Sequence, residues 1–202
     1  MSHNIDKIIF INLEKRKDRL LEIENELDKF NLEYERFNAI EHECGIVGCG
    51  FSHLAVLKIA KEKNYKNILI LEDDFTFIVT KEEFEMELNR FFNNVSEYDV
   101  CMISCNVKEK ETIDKLPFID RIIFGQTASG YIVNNHYFDK LIELYEYNIP
   151  LLEKTREHWT YANDIVWKQL QEKDKWFFIN KRIGKQRAGY SDNNERYCDY
   201  DC

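Results

Sequence analysis

Continuous apolar runs alternate with amphipathic stretches along the chain. Runs over residues 7–13, 67–71, 98–104 and 176–180 predict strands buried on both faces, as found inside an α/β sheet. An apolar stripe over residues 15–30 and a capping box, TKEE, at residues 80–83 predict helices after two of these strands. The coarse order β-α-β-α-β-α-β therefore predicts a mostly parallel sheet in a single layered α/β domain.

The other segments have a less regular pattern. The expected elements are, in chain order, a short strand over residues 32–40, a mobile excursion over 106–120, short strands over 122–124 and 129–133, a helix over 136–147 and, after Pro150, a helix over 162–173. A basic tail with Lys181, Arg182, Lys185 and Arg187 follows from about residue 181.

Three consecutive carboxylates, Glu72, Asp73 and Asp74, follow the apolar run at residues 67–71. They should emerge at the carboxyl end of a central strand, where open α/β sheets bind their ligands. Carboxylates this close repel one another unless a cation or ligand donors offset the repulsion, and their hard oxygens suit Mg²⁺ or Mn²⁺. These cations in turn suit a diphosphate. The alternative interpretation is a solvated acidic turn.

Two arginines, Arg16 and Arg19, lie in the first turn of the predicted helix over residues 15–30. This places them beside the carboxyl end of the first strand, where half-buried guanidinium groups need anionic partners. A phosphate-bearing ligand or the carboxylates of residues 72–74 would supply them. Alternatively, both side chains extend into solvent.

A glycine-rich segment, CGIVGCGFSH, predicts a loop that leads into a helix with Ser52 as its N-cap. Such an entry can hold phosphate with backbone N–H groups, although the spacing matches neither a P-loop nor a dinucleotide fingerprint. His53 falls on the apolar face of the predicted helix, where a histidine with satisfied hydrogen bonds is the common outcome.

Composition limits the class of protein. The chain has 202 residues, 44% of them hydrophobic, which suits one domain of α/β size with a sizeable core. Its net charge of −9 argues against nucleic acid or an anionic membrane as a partner. The chain has neither a membrane-spanning run nor a signal-peptide pattern, so we expect a cytoplasmic protein with reduced cysteines. The spacing of Cys198 and Cys202 would tolerate zinc, but a second matching pair is missing.

Several motifs together resemble glycosyltransferase family 25. They are, in order, IFINLEKRKDR, FNAI, GIVGCGFSHLAVLKIA, NILILEDDF and ASGYIVNNHYFDKL, and the later segments DIVWKQL and QRAGYSD extend the resemblance over roughly residues 7–193. The family includes lipooligosaccharide β-galactosyltransferases and collagen galactosyltransferases. The resemblance implies a single GT-A type domain over residues 1–202, with a mostly parallel, Rossmann-like central sheet flanked by helices. It also implies a UDP-sugar donor and a divalent metal, usually Mn²⁺, with Mg²⁺ as the alternative.

The resemblance assigns roles to individual residues of the donor site. Glu72 or Asp73 would contact the ribose, and Asp74, with Glu72, would bind the metal. The nucleotide pocket and its surroundings would comprise Asn12, Leu13, Arg16, Arg19, Asn38, Ala39 and His53. Gln186, Ser191 and the basic tail would close over the diphosphate.

An inverting transferase of this kind needs a carboxylate general base that deprotonates the acceptor hydroxyl. Asp164 resembles the acceptor-side aspartate of the family, and a helix amino terminus would keep it ionised. Its alternative role is an N-cap. Asp192 is the second candidate, as base or as a further metal ligand.

The sequence therefore predicts a metal-dependent inverting hexosyltransferase that moves glucose or galactose from a UDP-sugar to a glycan or glycoprotein acceptor, held by loops such as residues 106–120. Two alternatives stay open. One is a catalytically silent relative that binds a nucleotide-sugar as an interaction module. The other is a nucleotidyltransferase acting on sugar phosphates, which would call for a glycine-rich first loop where the chain has NLEKRKDR.

Overall fold

The computed structural model describes residues 4–191 and 196–200. The strands are β1 (Lys7–Asn12), β2 (Glu35–Asn38), β3 (Asn67–Glu72), β4 (Phe75–Phe77), β5 (Val100–Thr112), β6 (Ile119–Asn134), β7 (Trp176–Ile179), β8 (Gly184–Gln186), β9 (Gly189–Ser191) and β10 (Arg196–Cys198). The helices are α1 (Lys17–Lys29), α2 (Gly45–Glu62), α3 (Lys81–Asn94), α4 (Phe138–Thr155), preceded by a 3-10 turn (Asn135–Tyr137), and the one-turn helices α5 (His158–Tyr161), α6 (Asn163–Val166) and α7 (Lys168–Gln171).

Six strands form the central sheet in the order β2-β1-β3-β6-β5-β7. Strands β1, β2 and β3 are parallel, β5 and β7 are parallel, and β6 runs antiparallel to its neighbours β3 and β5. The mostly parallel sheet flanked by helices, predicted from the alternation of strands and helices, is confirmed. Because β6 is reversed, its first half and the carboxyl ends of β1 and β3 reach the same edge of the sheet.

The two faces of the sheet carry separate apolar cores. Alternate side chains of β1 and β3 enter one core or the other: Ile9 and Ile70 pack with α2 and α4, and Phe10 and Leu71 pack with α1 and α3. Because both faces are covered, residues 68–71 are fully buried. This explains the continuous apolar run in the sequence.

Helix α2 begins at Gly45, so the expectation of a phosphate-binding loop with Ser52 as the N-cap is wrong. Ser52 is buried inside the helix, where its hydroxyl donates to Gly48 O (2.7 Å) and accepts from Ile40 N (2.8 Å). A Cβ at Gly48 would lie 2.4 Å from Ile40 O. The glycine here permits close packing of the helix against the segment before it rather than a loop.

Helix α3 begins as the sequence predicts. The Thr80 hydroxyl accepts from Glu83 N, and the Glu83 carboxylate accepts from Thr80 N, at 3.2 and 2.9 Å. This reciprocal pair satisfies two backbone donors at the start of the helix.

Residues 106–120 belong mostly to strands, with a loop only over residues 113–118. Strands β5 and β6 pair antiparallel as far as Thr112 and Asp120, so most of this polar segment belongs to a long hairpin with register shifts. One reason is that charged pairs extend it beyond the core: Arg121 contacts the exposed Glu111, and Lys110 contacts the buried Asp120, across the strands at 2.7 Å each.

The segments around Pro150 also differ from prediction. Helix α4 continues through Pro150 to Thr155, because Ile149 and Leu152 keep its apolar face in the core despite the lost backbone donor. The helix expected over residues 162–173 is instead broken into α6 and α7, which follow α5 after an extended residue at Ala162.

Candidate active site

A cavity of about 730 Å³ opens at the edge of the sheet where β1 and β3 end. Its wall includes Leu13, the start of α1, the first half of α2, the bulged part of β6 at residues 126–128 and the short helices α5 and α6. No residue of segment 106–120 lines it. The expected acceptor loop is therefore not part of this cavity.

The three consecutive carboxylates lie on the cavity floor. Glu72 is the last residue of β3, and Asp73 and Asp74 form the turn into β4 with 8% and 7% of their surface exposed. The next residue, Phe75, is fully buried, and a Cβ at Gly184 would lie 2.2 Å from its ring. The glycine thus leaves room for the ring that anchors the turn.

Arg19 bridges two of these carboxylates. Its Nη1 contacts Asp73 Oδ1 at 2.9 Å and Asp74 Oδ2 at 3.0 Å, and its Nη2 donates to Tyr190 O at 2.7 Å. Burial alone would lower the pKa of Arg19, but the charges of Asp74 and Asp73 raise it. Arg16 pairs with Asp18 at 2.7 Å. Of the two arginines, Arg19 contacts carboxylates of residues 72–74, which the sequence offered as anionic partners.

Asn12 lies behind the cavity wall. Its side-chain amide donates to Asp73 Oδ2 (2.7 Å) and accepts from Arg36 Nε (3.1 Å). Asn12 is 1% exposed and does not line the cavity, and Asn38 does not line it either, whereas Leu13 and Ala39 do. Asn12 therefore positions Asp73, whose two carboxylate oxygens are both engaged.

Asp74 has one engaged oxygen and one without a partner. Oδ2 accepts from Arg19 and from Gln186 Nε2 (3.1 Å), whereas the buried Oδ1 has no hydrogen-bond partner among the described residues. Burial and the charge of Glu72 raise the pKa of Asp74 to about 7, although Arg19 opposes this. An unpaired buried carboxylate oxygen is costly, and it is the hard ligand that Mn²⁺ or Mg²⁺ binds. Asp74 is therefore suited to bind the divalent metal that the family resemblance implies.

Glu72 faces away from Arg19 and towards α2. Its Oε1 lies 3.0 Å from His53 Nε2 and accepts a hydrogen bond from Cys49 Sγ at 3.6 Å, and His53 Nδ1 lies 2.7 Å from the Tyr131 hydroxyl. Burial would raise the pKa of Glu72, but the hydrogen bond and charge of His53 lower it. Sequence reasoning placed His53 near the site and missed Cys49, whose position four residues earlier puts it on the same helix face.

Asp164 lies on the wall formed by α6. Its Oδ2 accepts from Thr127 N at 3.1 Å. Burial and the charge of Glu72 raise the pKa of Asp164, while the Thr127 N–H and Lys168 oppose that shift. Thr127 has a φ of 86°, an uncommon conformation for a β-branched residue. Asp192, the second candidate base, lies outside the described residues.

Aromatic side chains also surround the cavity. Trp159, Tyr190 and Tyr200 line it and are 65%, 51% and 43% exposed. The sequence reasoning missed them. Trp159 precedes Asp164 by five residues, so its proximity to that candidate was the available signal.

The basic tail contributes little to the cavity. Lys181 pairs with Glu83 and Arg187 with Glu22, each at 2.5 Å, and of the expected closing residues only Gln186 and Ser191 line the wall.

Three of the described cysteines, Cys44, Cys49 and Cys101, are free thiols. Cys202 lies outside the described residues. Within the described part of the chain, no helix is both long and apolar enough to cross a membrane.

Comparison with known proteins agrees with the family that the sequence motifs resemble. The sequence model of the family described as glycosyltransferase family 25 (LPS biosynthesis protein) matches residues 43–166. A Drosophila melanogaster protein named glycosyltransferase 25 family member is 23% identical over an alignment 204 residues long. The alignment covers 79% of this chain and 33% of the fly protein. This chain thus spans about a third of the length of that curated relative.

Two crystal structures share the fold. One is a glycosyltransferase involved in the glycosylation of the major capsid of PBCV-1, with a TM-score of 0.54, 10% identity and coverage of 92% of this chain and 93% of that one. The other is a protein from STIV, with a TM-score of 0.52, 13% identity and coverage of 95% and 92%. At these identities the likeness concerns the fold alone.

Proposed function

The chain belongs to glycosyltransferase family 25, and we propose that it is a metal-dependent inverting enzyme. In this proposal it moves a hexose, glucose or galactose, from a UDP-sugar to a hydroxyl of a glycan or glycoprotein acceptor. The described residues act as one GT-A type domain that contains both the donor and the acceptor side.

The observation that carries the proposal is Asp74. Asp74 lines a cavity large enough for a nucleotide-sugar, next to Glu72 and Asp73, and its buried Oδ1 has no hydrogen-bond partner among the described residues. In a protein whose fold has no use for a ligand here, an orphaned buried carboxylate oxygen would only reduce stability. A divalent cation held by Asp74 would offset the negative charge of the UDP leaving group.

The donor side is built from α1 and the ends of β1 and β2. Arg19 is held in place by Asp73 and Asp74, and it directs a positive group at the cavity where the diphosphate would lie. Leu13 and Ala39 supply the wall for the nucleoside, while Asn12 and Asn38 act indirectly, through Asp73 and Arg36.

In this proposal Glu72 has a role other than the metal or ribose contact expected from the sequence. Its Oε1 is engaged with His53 and Cys49, so we assign to Asp74 the cation that would bind the donor diphosphate. Glu72 interacts with helix α2 instead. Asp73 likewise acts by holding Arg19 and Asn12, since both of its oxygens are used.

The acceptor side is built from β6, α5 and α6. Asp164 is the proposed base that takes the proton of the acceptor hydroxyl, and the Thr127 N–H orients its carboxylate. The exposed ring of Trp159 at the rim offers an apolar face against which a sugar ring can lie.

The test is UDP release from a panel of UDP-sugars, with Mn²⁺ or with a chelator, by wild type and Asp74→Asn. The matched control is Asp139→Asn, which changes an exposed aspartate of α4 outside the cavity. We expect one UDP-sugar to be hydrolysed in a metal-dependent way, with a loss of about 100-fold or more in Asp74→Asn and little change in the control.

A binding titration on the same samples separates the alternatives. Metal-dependent binding of a UDP-sugar without turnover, in the presence of simple sugars as acceptors, would favour the silent relative. If neither UDP nor any UDP-sugar binds, the nucleotide-sugar proposal is wrong.

A further inference from the structure

Three potential metal ligands of different chemistry converge on the α2 side of the cavity. Cys49 and His53 are four residues apart on one face of α2, and Glu72 meets them from the end of β3. One sulfur, one ring nitrogen and one carboxylate oxygen of these residues all lie within 4.8 Å of one another. All three residues line the cavity.

We propose that Cys49, His53 and Glu72 bind a Zn²⁺ ion, with a fourth coordination position open to the cavity. Zinc accepts thiolate, imidazole and carboxylate ligands together, and three protein ligands with one open position are a common arrangement for it. Mn²⁺ and Mg²⁺ prefer oxygen ligands, so this site differs in chemistry from the Asp74 position. The proposal does not depend on the transfer reaction.

The contacts of His53 suit ligation through Nε2. Nδ1 lies 2.7 Å from the Tyr131 hydroxyl, which can accept a hydrogen bond from Nδ1–H, and in that tautomer Nε2 carries the lone pair. Nε2 and Glu72 Oε1, 3.0 Å apart, then need a positive group between them, either a proton or a metal ion. Metal-bound histidines usually have such an outer partner, which fixes the ring and its tautomer.

The charges around the site favour a dication. Glu72, Asp73, Asp74 and Asp164 all line the cavity, and Arg19 forms ion pairs only with Asp73 and Asp74 among the described residues. On binding, the Cys49 thiol releases its proton to solvent, and Zn²⁺ with one thiolate and one carboxylate is a neutral set. The bound Zn²⁺ would thereby neutralise the negative charge of Glu72 that lies near Asp74.

The experiment uses the full chain, stripped of metal and titrated with Co²⁺ as a spectroscopic substitute for Zn²⁺. We expect a thiolate-to-cobalt charge-transfer band that saturates at one equivalent and is removed by one equivalent of Zn²⁺. Cys49→Ser should lose the band. Cys44→Ser, a change at the N-cap of the same helix and outside the cluster, should retain it.

Two further variants make the test specific. Tyr131→Phe should weaken Zn²⁺ binding by about 10- to 100-fold, measured by competition with a chromophoric chelator. Asp74→Asn should retain the cobalt band at saturating Co²⁺, because Asp74 is not one of the three ligands, so that a failure of the donor proposal and a failure of this one are distinguishable.

A measurement on the wild type covers the case in which Cys49→Ser does not fold. One equivalent of Zn²⁺ should slow alkylation of Cys49 and not of Cys44, as read by peptide mass spectrometry. A wild-type protein without the thiolate band, a band retained in Cys49→Ser, or alkylation of Cys49 unaffected by Zn²⁺ would overturn the proposal.

Discussion

At the scale of single residues, Asp164 has a defined set of neighbours. The Thr127 N–H donates to one of its carboxylate oxygens, and Lys168, on the following short helix, is held by a 2.8 Å hydrogen bond to Gln126 Oε1. The pKa of Asp164 is raised by burial and by the charge of Glu72, and lowered in part by Lys168. A base in this environment is ionised only above the usual range of aspartate.

We predict that Lys168→Met shifts the acid limb of kcat/KM to higher pH. The proposed base must be ionised, so activity rises as pH increases through the pKa of Asp164. Removing the Lys168 charge raises that pKa further. The measurement is the pH profile of UDP release, with Lys58→Met, which removes an exposed lysine paired with Glu146, as the control. An acid limb that stays in place, or moves to lower pH, would contradict the role of Asp164.

Some of the site could be predicted and some could not. The sequence indicates the triplet at residues 72–74 and the two arginines at the start of α1, because an apolar run and a helical stripe fix where strand and helix meet. The contact between Thr127 and Asp164 requires a strand bulge with positive φ, which no local pattern indicates. The sequence does not indicate Cys49, because the glycines around it predict a loop where the structure has α2.

At the scale of elements, helix α2 shows how packing overrides local propensity. Glycines disfavour helix, yet Gly48 lies inside α2 because the Ile40 carbonyl leaves no space for a side chain. By contrast β3 and α3 were predicted closely, since a run buried on both faces and a capping box are local signals. The hairpin of β5 and β6 was missed because its strands are polar beyond the core.

We predict that Gly48→Ala lowers the free energy of unfolding by about 1–3 kcal/mol, despite the better helix propensity of alanine. The added Cβ would meet a backbone oxygen at 2.4 Å, which must move, and with it the Ile40 N–H that donates to Ser52. Gly50→Ala is the matched control, because its Cβ would meet a side chain, Ile149, at 3.1 Å, and a shift of a few tenths of an ångström relieves that contact. Urea denaturation compares the two. Equal losses in both variants would refute this account of Gly48.

At the scale of the whole molecule, stability should depend on pH through Glu26. This residue of α1 accepts hydrogen bonds from Thr76 Oγ1 (2.9 Å) and Phe77 N (3.2 Å), and so joins the helix to β4. Although burial alone would raise the pKa of Glu26, its hydrogen bonds with Lys29, Thr76 and Phe77 lower it. The ionised carboxylate thus stabilises the folded state.

We predict that Glu26→Gln is less stable than wild type at neutral pH and that the difference shrinks in acid. Because the pKa of Glu26 is lowered in the folded state, its ionised carboxylate contributes its full stabilisation above the ordinary pKa of 4.5. That contribution is lost as the pH falls through the pKa of the folded state. Chemical denaturation over a pH series measures this, with Glu62→Gln, an exposed position at the end of α2, as the control. A difference that grows as pH falls would contradict the assignment.

The reversed strand β6 also has a consequence for how the chain acquires its structure. Residues 113–118 alone separate β5 from β6, so closing this hairpin costs little chain entropy, whereas β3 must pair with β6 across a long intervening segment. The hairpin is therefore expected to form early and to serve as a template to which β3 docks later. In that order of events, the part of the cavity wall that contains Thr127 exists before the carboxylates of residues 72–74 arrive, and these carboxylates become buried only at the final docking step.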